Sequence, residues 1–196
     1  WKGVALTAKK TIIAVESRGN IYQVEVRKDP TPNLAERGGT KLPRPIRSGI
    51  ALSGNIMGCV DDANVFHIWD VEALAPISEV KLSAPASLGP VAAGGYLFVV
   101  AGDDEIVCVN PQGKEIWRHP LKGQNVVGRP LAKGNAVHFV MSSGLVRALR
   151  LDDGGELWTI DTEKPLSGGP IDVGDKIVVI GDDGSLNVIK APGGAN

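Results

Sequence analysis

The chain has 196 residues, 43% of them apolar, with 25 glycines and 13 prolines; so many turn formers exclude a helical bundle and point to many short strands. Its 21 basic and 22 acidic side chains leave a net charge of -1, which provides no global field for nucleic acid or an anionic membrane as partner. No apolar run is long enough to cross a bilayer as a helix, and no charged-then-apolar leader opens the sequence ahead of the first unit; the start at Trp1 is compatible with a processed leader, an excised domain or an arbitrary boundary.

Five related units are predicted in chain order. The first covers residues 3–27, from Ala5-Leu6 through Ile21-Tyr22-Gln23-Val24-Glu25, with Ser17-Arg18-Gly19-Asn20 as its hairpin turn and no inserted residue. Residues 28–45 (KDPTPNLAERGGTKLPRP) are polar, contain four prolines and lack alternation, so they are read as an exposed connection replacing a fourth strand and as a candidate contact surface. Arg37, Lys41, Arg44 and Arg47 form a local basic set in and beside it, suited to an acidic partner. The second unit, residues 47–82, matches Gly49-Ile50-Ala51 through Val65 to Asp70 with one inserted residue.

The third (88–120), fourth (128–160) and fifth (168–190) units keep strict register. Pro90, Pro130 and Pro170 are 40 residues apart, and Asn110, Arg150 and Lys190 each close a strand-like run 20 residues further on. Such a period marks a repeat architecture. The fourth unit shows the plan most clearly: Pro130 to Ala132, Ala136 to Met141 and Leu145 to Leu151 are apolar segments of strand length, and Ser142-Ser143-Gly144 and Asp153-Gly154-Gly155 supply turns. Glu156-Leu157-Trp158 follows as a short fourth strand. Four short antiparallel strands with an indole on the last make a propeller blade, so the fold class is all-β, a propeller of about five four-stranded blades with the last one incomplete, alone or as part of a larger ring. After Lys190, residues 191–196 are too short and glycine-rich for a fourth strand, which predicts an open edge on the last blade.

The segment from Ala148 to Trp158 (ALRLDDGGELW) resembles the tryptophan-docking motif of the quinoprotein-like propeller repeat, A-L-D-x-x-T-G-x-x-x-W, with Arg150 in place of the usual Asp and Asp153 in place of the usual Thr. Cys108 to Trp117 is a version one residue shorter, and His67-Ile68-Trp69-Asp70 also resembles a WD repeat. The resemblance implies seven- or eight-bladed rings in which docking tryptophans pack between blades, a role assigned to Trp69, Trp117 and Trp158. It also implies a periplasmic or other extracytoplasmic setting. Some members are pyrroloquinoline-quinone dehydrogenases; others, the BamB-type outer-membrane assembly proteins, share the blades without cofactor or catalysis.

The residues favour the second group. The dehydrogenases of that family hold a cation beside the quinone, use a carboxylate base, and often carry vicinal cysteines; there is no Cys-Cys pair here. The doublets Asp61-Asp62, Asp103-Asp104, Asp152-Asp153 and Asp182-Asp183 recur at turns, where Asp is favoured by local hydrogen bonding. His67, His119 and His138 fall in different units without metal-ligand spacing, and no phosphate-cradling loop or nucleophile motif is present. Cys59 and Cys108 are read as free buried thiols, with a bridge open if the blades bring them together. Arg129, where the third and fifth units have Gly89 and Gly169, is a candidate anion contact at the channel mouth. The expectation is a non-catalytic binding or scaffolding module without cofactor, whose partner is a protein or a second copy at the open edge of the last blade. Two alternatives stay open: a fragment of a quinone dehydrogenase, or an interaction or sensor domain of a larger signalling or envelope protein.

Overall fold

The computed structural model describes residues 1–190 and consists of antiparallel strands joined by turns. Blade 1 is β1 (Gly3–Leu6), β2 (Ile12–Val15), β3 (Asn20–Arg27) and β4 (Asn33–Lys41); blade 2 is β5 (Ile46–Ser53), β6 (Ile56–Asp61), β7 (Val65–Asp70) and β8 (Ala75–Lys81). Blade 3 is β9 (Ala86–Ala93), β10 (Tyr96–Ala101), β11 (Glu105–Val109) and β12 (Glu115–Pro120); blade 4 is β13 (Val126–Lys133), β14 (Ala136–Met141), β15 (Leu145–Arg150) and β16 (Glu156–Asp161). Blade 5 has three described strands, β17 (Leu166–Val173), β18 (Lys176–Gly181) and β19 (Leu186–Lys190). Within each sheet, spatial order follows chain order. The first strands meet in succession, β1 with β5, β5 with β9, β9 with β13 and β13 with β17, so they lie innermost and the fourth strands outermost.

The core is divided among the blade interfaces. One apolar cluster joins blades 1 and 2 around Ile13, Met57 and Trp69, the next joins blades 2 and 3 around Phe66, Leu97 and Val99, a third joins blades 3 and 4 around Phe98, Phe139 and Leu149, and a fourth joins blades 4 and 5 around Val140, Ile177 and Val179. In β10, Leu97 and Val99 pack back onto blade 2 while Phe98 and Val100 pack forward onto blade 4. A strand buried on both faces is apolar at consecutive positions, which explains the unbroken run in β10. Among the described residues the two end blades are covered on one face only: Val4, Leu6, Val26 and Leu34 of blade 1 and Ile171, Val173, Leu186 and Val188 of blade 5 are exposed.

Two sequence expectations are corrected. Residues 28–45 do not replace the fourth strand of blade 1, because residues 33–41 are that strand, paired from Asn20 with Lys41 to Arg27 with Asn33. The alternation that marks a half-buried strand is missing since β4 is outermost and mostly exposed, and its prolines all lie outside the paired residues. The inserted residue belongs to the first unit rather than the second. Ala51 pairs with Gly58 as Val91 pairs with Phe98, so blade 2 keeps the 40-residue spacing. In blade 1, residues 7–11 join the paired Leu6 and Ile12, where residues 93–96 join the paired Ala92 and Leu97. Residues 191–196, on which the expected lack of a fourth strand in blade 5 rests, lie outside the described residues.

Candidate functional site

Trp117 shows how one blade is fastened to the next. It stands on β12 opposite Cys108, its indole N–H donates to the Leu151 carbonyl at 2.9 Å, and its ring lies on Gly154, where an added Cβ would meet ring carbons at 2.7–2.9 Å. Asp153, next to that glycine, accepts the Gly155 N–H and binds Arg150, so the turn keeps a side-chain cap although Arg150 replaces the usual Asp. Trp158 occupies the equivalent position on β16, opposite Ala148; it is half-buried and packs on the His138 ring at 5.3 Å. Trp69 is placed differently, on the third strand of blade 2, and is buried against blade 1.

The positions corresponding to Trp117 in the first two blades are Gly38 and Ser78. Ser78 Oγ donates to the Gly113 carbonyl in the next blade. In blade 1, Gln23, paired with Gly38, donates its amide to the Val71 carbonyl at 3.1 Å, the counterpart of Leu151 in the 40-residue register. Sequence reasoning missed both residues. For Gln23 the only signal was an amide two residues from Ile21, on the strand face that alternation turns inward.

The basic set is divided between two ends of the sheets. Arg37 lines a small cavity of about 100 Å³ with Lys9, Thr11, Gln23 and Glu72, at the end carrying the first-to-second and third-to-fourth strand turns. Lys41 is paired with Asn20 at the opposite end, where Arg44 donates to Asp62 at 2.8 Å and stands 3.8 Å from buried Asp61. Arg47 is exposed and lines a cavity of about 370 Å³ between blades 2 and 3, with Ser48, Asp61, Asp62, Asn64 and Ser87.

Asp61 Oδ1 accepts the N–H groups of Ala63 and Val65 at 2.8 Å, and Oδ2 lies 3.0 Å from His67 Nε2. Burial pushes its pKa up, but the His67 contact and the two N–H donors outweigh that and hold the carboxyl below its ordinary value of 3.8. This carboxylate therefore locks a turn. Asp153 and Asp183 likewise accept N–H groups two residues on, and among the described residues no three His, Cys, Asp or Glu side chains converge to hold a metal. Burial also lowers the His138 pKa, and its Nδ1 lies 3.1 Å from the Leu131 carbonyl. Cys59 and Cys108 are free and lie in different interface clusters; burial, aided by Asp61, pushes the Cys59 thiol up to about 12, and burial raises Cys108 as well.

At the axis, a cavity of about 280 Å³ is lined by Ala5 of β1, Ile50, Ala51 and Leu52 of β5, Pro90, Val91 and Ala92 of β9, and Arg129 of β13. Every lining residue but Arg129 is of apolar type. Arg129 lies within β13 and is exposed.

The protein family described as outer membrane protein assembly factor BamB matches residues 53–196. No curated protein sequence matches the chain. Among solved structures, BamB from Moraxella catarrhalis superposes with a TM-score of 0.72 at 17% identity, over 96% of this chain and 57% of that one. BBS1N in complex with ARL6DN superposes with a TM-score of 0.65 at 16% identity, over 99% and 63%. A chain of the Mitotic Checkpoint Complex gives 0.66 at 11% identity, over 96% and 60%. The chain thus spans less than two thirds of each of these solved chains, and at such identities the likeness is one of fold. With a family match across most of its length, and with blades fastened through Trp117 and its counterparts, the chain belongs to the BamB family of quinoprotein-like β-propellers.

Proposed function

We propose that the chain is a non-catalytic scaffolding module that binds protein, a partner strand or a second copy, through the open side of its fifth blade. One observation carries this reading. Leu186 and Val188 are 68% and 59% exposed, while the residues at the same register positions, Ile106 and Cys108 in blade 3 and Val146 and Ala148 in blade 4, are fully buried by the following blade. Blade 5 therefore presents the face that its neighbours bury. Among the described residues no strand pairs with the outer edge of β19, and an unpaired edge beside an apolar face suits strand addition. The superposed BBS1N and Mitotic Checkpoint Complex structures are themselves protein complexes, which agrees with this role.

Sedimentation equilibrium at tens of micromolar tests the self-association branch, and hydrogen exchange with partner present tests the other. The expected result is a concentration-dependent larger species that the Leu186→Lys, Val188→Lys double variant loses while keeping its circular dichroism. A strictly monomeric protein whose residues 186–190 are already protected from exchange as strongly as β11 and β15 would overturn the reading.

A further inference from the structure

Blade 4 departs from the repeat at the axis. In register, Arg129 corresponds to Gly3, Gly49, Gly89 and Gly169, so four blades present no side chain where the fourth presents a guanidinium. The backbone explains how. Gly89 and Gly169 have φ of +95° and +98°, a region that disfavours any residue with a Cβ. In blade 4 the positive φ, +71°, falls one residue earlier, on Gly128, and Arg129 is free of it. Gly128 can take no side chain itself, because an added Cβ would lie 2.0 Å from the Gly169 oxygen. Moving the irregularity by one residue admits a long cationic side chain to an otherwise apolar cavity.

Among the described residues no carboxylate lies within ion-pair distance of Arg129, and the walls contributed by β1, β5 and β9 are Ala, Ile, Leu, Pro and Val. A planar fork of N–H donors at an apolar wall suits a carboxylate, which accepts two parallel hydrogen bonds and carries one charge. The volume of about 280 Å³ is that of roughly nine waters at about 30 Å³ each, enough for a carboxylate on a short branched or linear apolar body. We propose that the axial cavity binds such a ligand, with Arg129 gripping the carboxylate and the walls at residues 50–52 and 90–92 holding the apolar part. This site is separate from blade 5 and stands or falls independently of the scaffolding reading.

The test is amide NMR of the full chain titrated with isovalerate, with acetyl-Ala-Ala-Val bearing a free carboxyl terminus, and with its C-terminal amide. Saturable shifts at the amides of Gly128, Arg129, Ala51 and Val91 are expected with the free acids and not with the amide. Arg129→Gln should weaken the acids by about tenfold or more, the loss expected for a charge-assisted hydrogen bond, with the rest of the spectrum unchanged; Arg129→Lys should recover part of the affinity. Equal affinity for both acids would assign a small free carboxylate, and a peptide preference would assign a chain terminus. Binding of the amide as tightly as the acid, unchanged binding by Arg129→Gln, or no shift at millimolar acid would each overturn the proposal.

Discussion

Trp117 and Leu151 belong to successive blades, and the indole N–H of one donates to the backbone carbonyl of the other at 2.9 Å. A buried indole that also satisfies a turn carbonyl provides area and direction together. The interface it seals carries the aromatic cluster of Phe98, Phe139 and Trp117, with ring centroids 5.8–5.9 Å apart.

Trp117→Ala is expected to lower unfolding free energy by about 3–5 kcal/mol, and Trp117→Phe by a smaller amount, including about 1 kcal/mol for the lost hydrogen bond. Trp158→Ala should cost less than Trp117→Ala, because Trp158 is only half-buried. Urea unfolding of the three variants measures the order; an equal cost for the two alanine variants would contradict it.

Gly128 has no room for a side chain. Its φ of +71° and the Gly169 oxygen 2.0 Å from any added Cβ give Gly128→Ala an expected cost of about 2–4 kcal/mol, combining left-handed backbone strain with overpacking. Gly134→Ala, at a similar φ of +61° but with open space around it, should cost only the strain. Thermal unfolding of the pair separates the two contributions.

Asp61 predicts a pH dependence. Its folded pKa lies below the ordinary 3.8, so the carboxylate stabilises the fold above the unfolded value and that contribution is lost as pH falls through the folded value. Asp61→Asn should therefore destabilise the protein at neutral pH by about 1.5–3 kcal/mol, the range for hydrogen bonds to a charged group, and the gap from the parent should close below pH 3.8. Arg44 and His67 face the carboxylate in both conditions. Urea midpoints at neutral and acid pH provide the comparison, and a gap that widened on acidification would refute the assignment.

Both thiols should be inert in the folded protein. Cys59 and Cys108 are fully buried, and only the thiolate is reactive, so a disulfide reagent at mild alkaline pH should label neither until denaturant is added and then label both. Rapid labelling of native protein would show that the interface clusters open readily.

Strand order, turn positions and the 40-residue period follow from local chemistry alone, because turn residues and apolar runs report on the backbone near them. Arg129 was distinguishable in the same way, as the one departure from glycine among the aligned units. What surrounds it was not, since the cavity walls come from three other blades. The outer strand β4 escaped notice because an exposed edge needs no apolar pattern, and its identity rests on pairing with β3. Gln23 and Ser78 likewise acquire their roles only from carbonyls in the next blade. The sequence by itself determined that blades form and where the apolar inner strands of the repeat lie; the tertiary structure decided which exposed segment completes the first blade, which side chains fasten one blade to the next and which apolar positions go uncovered, because all three depend on the pairing and register of neighbouring strands and sheets and not on the strand that carries the residue.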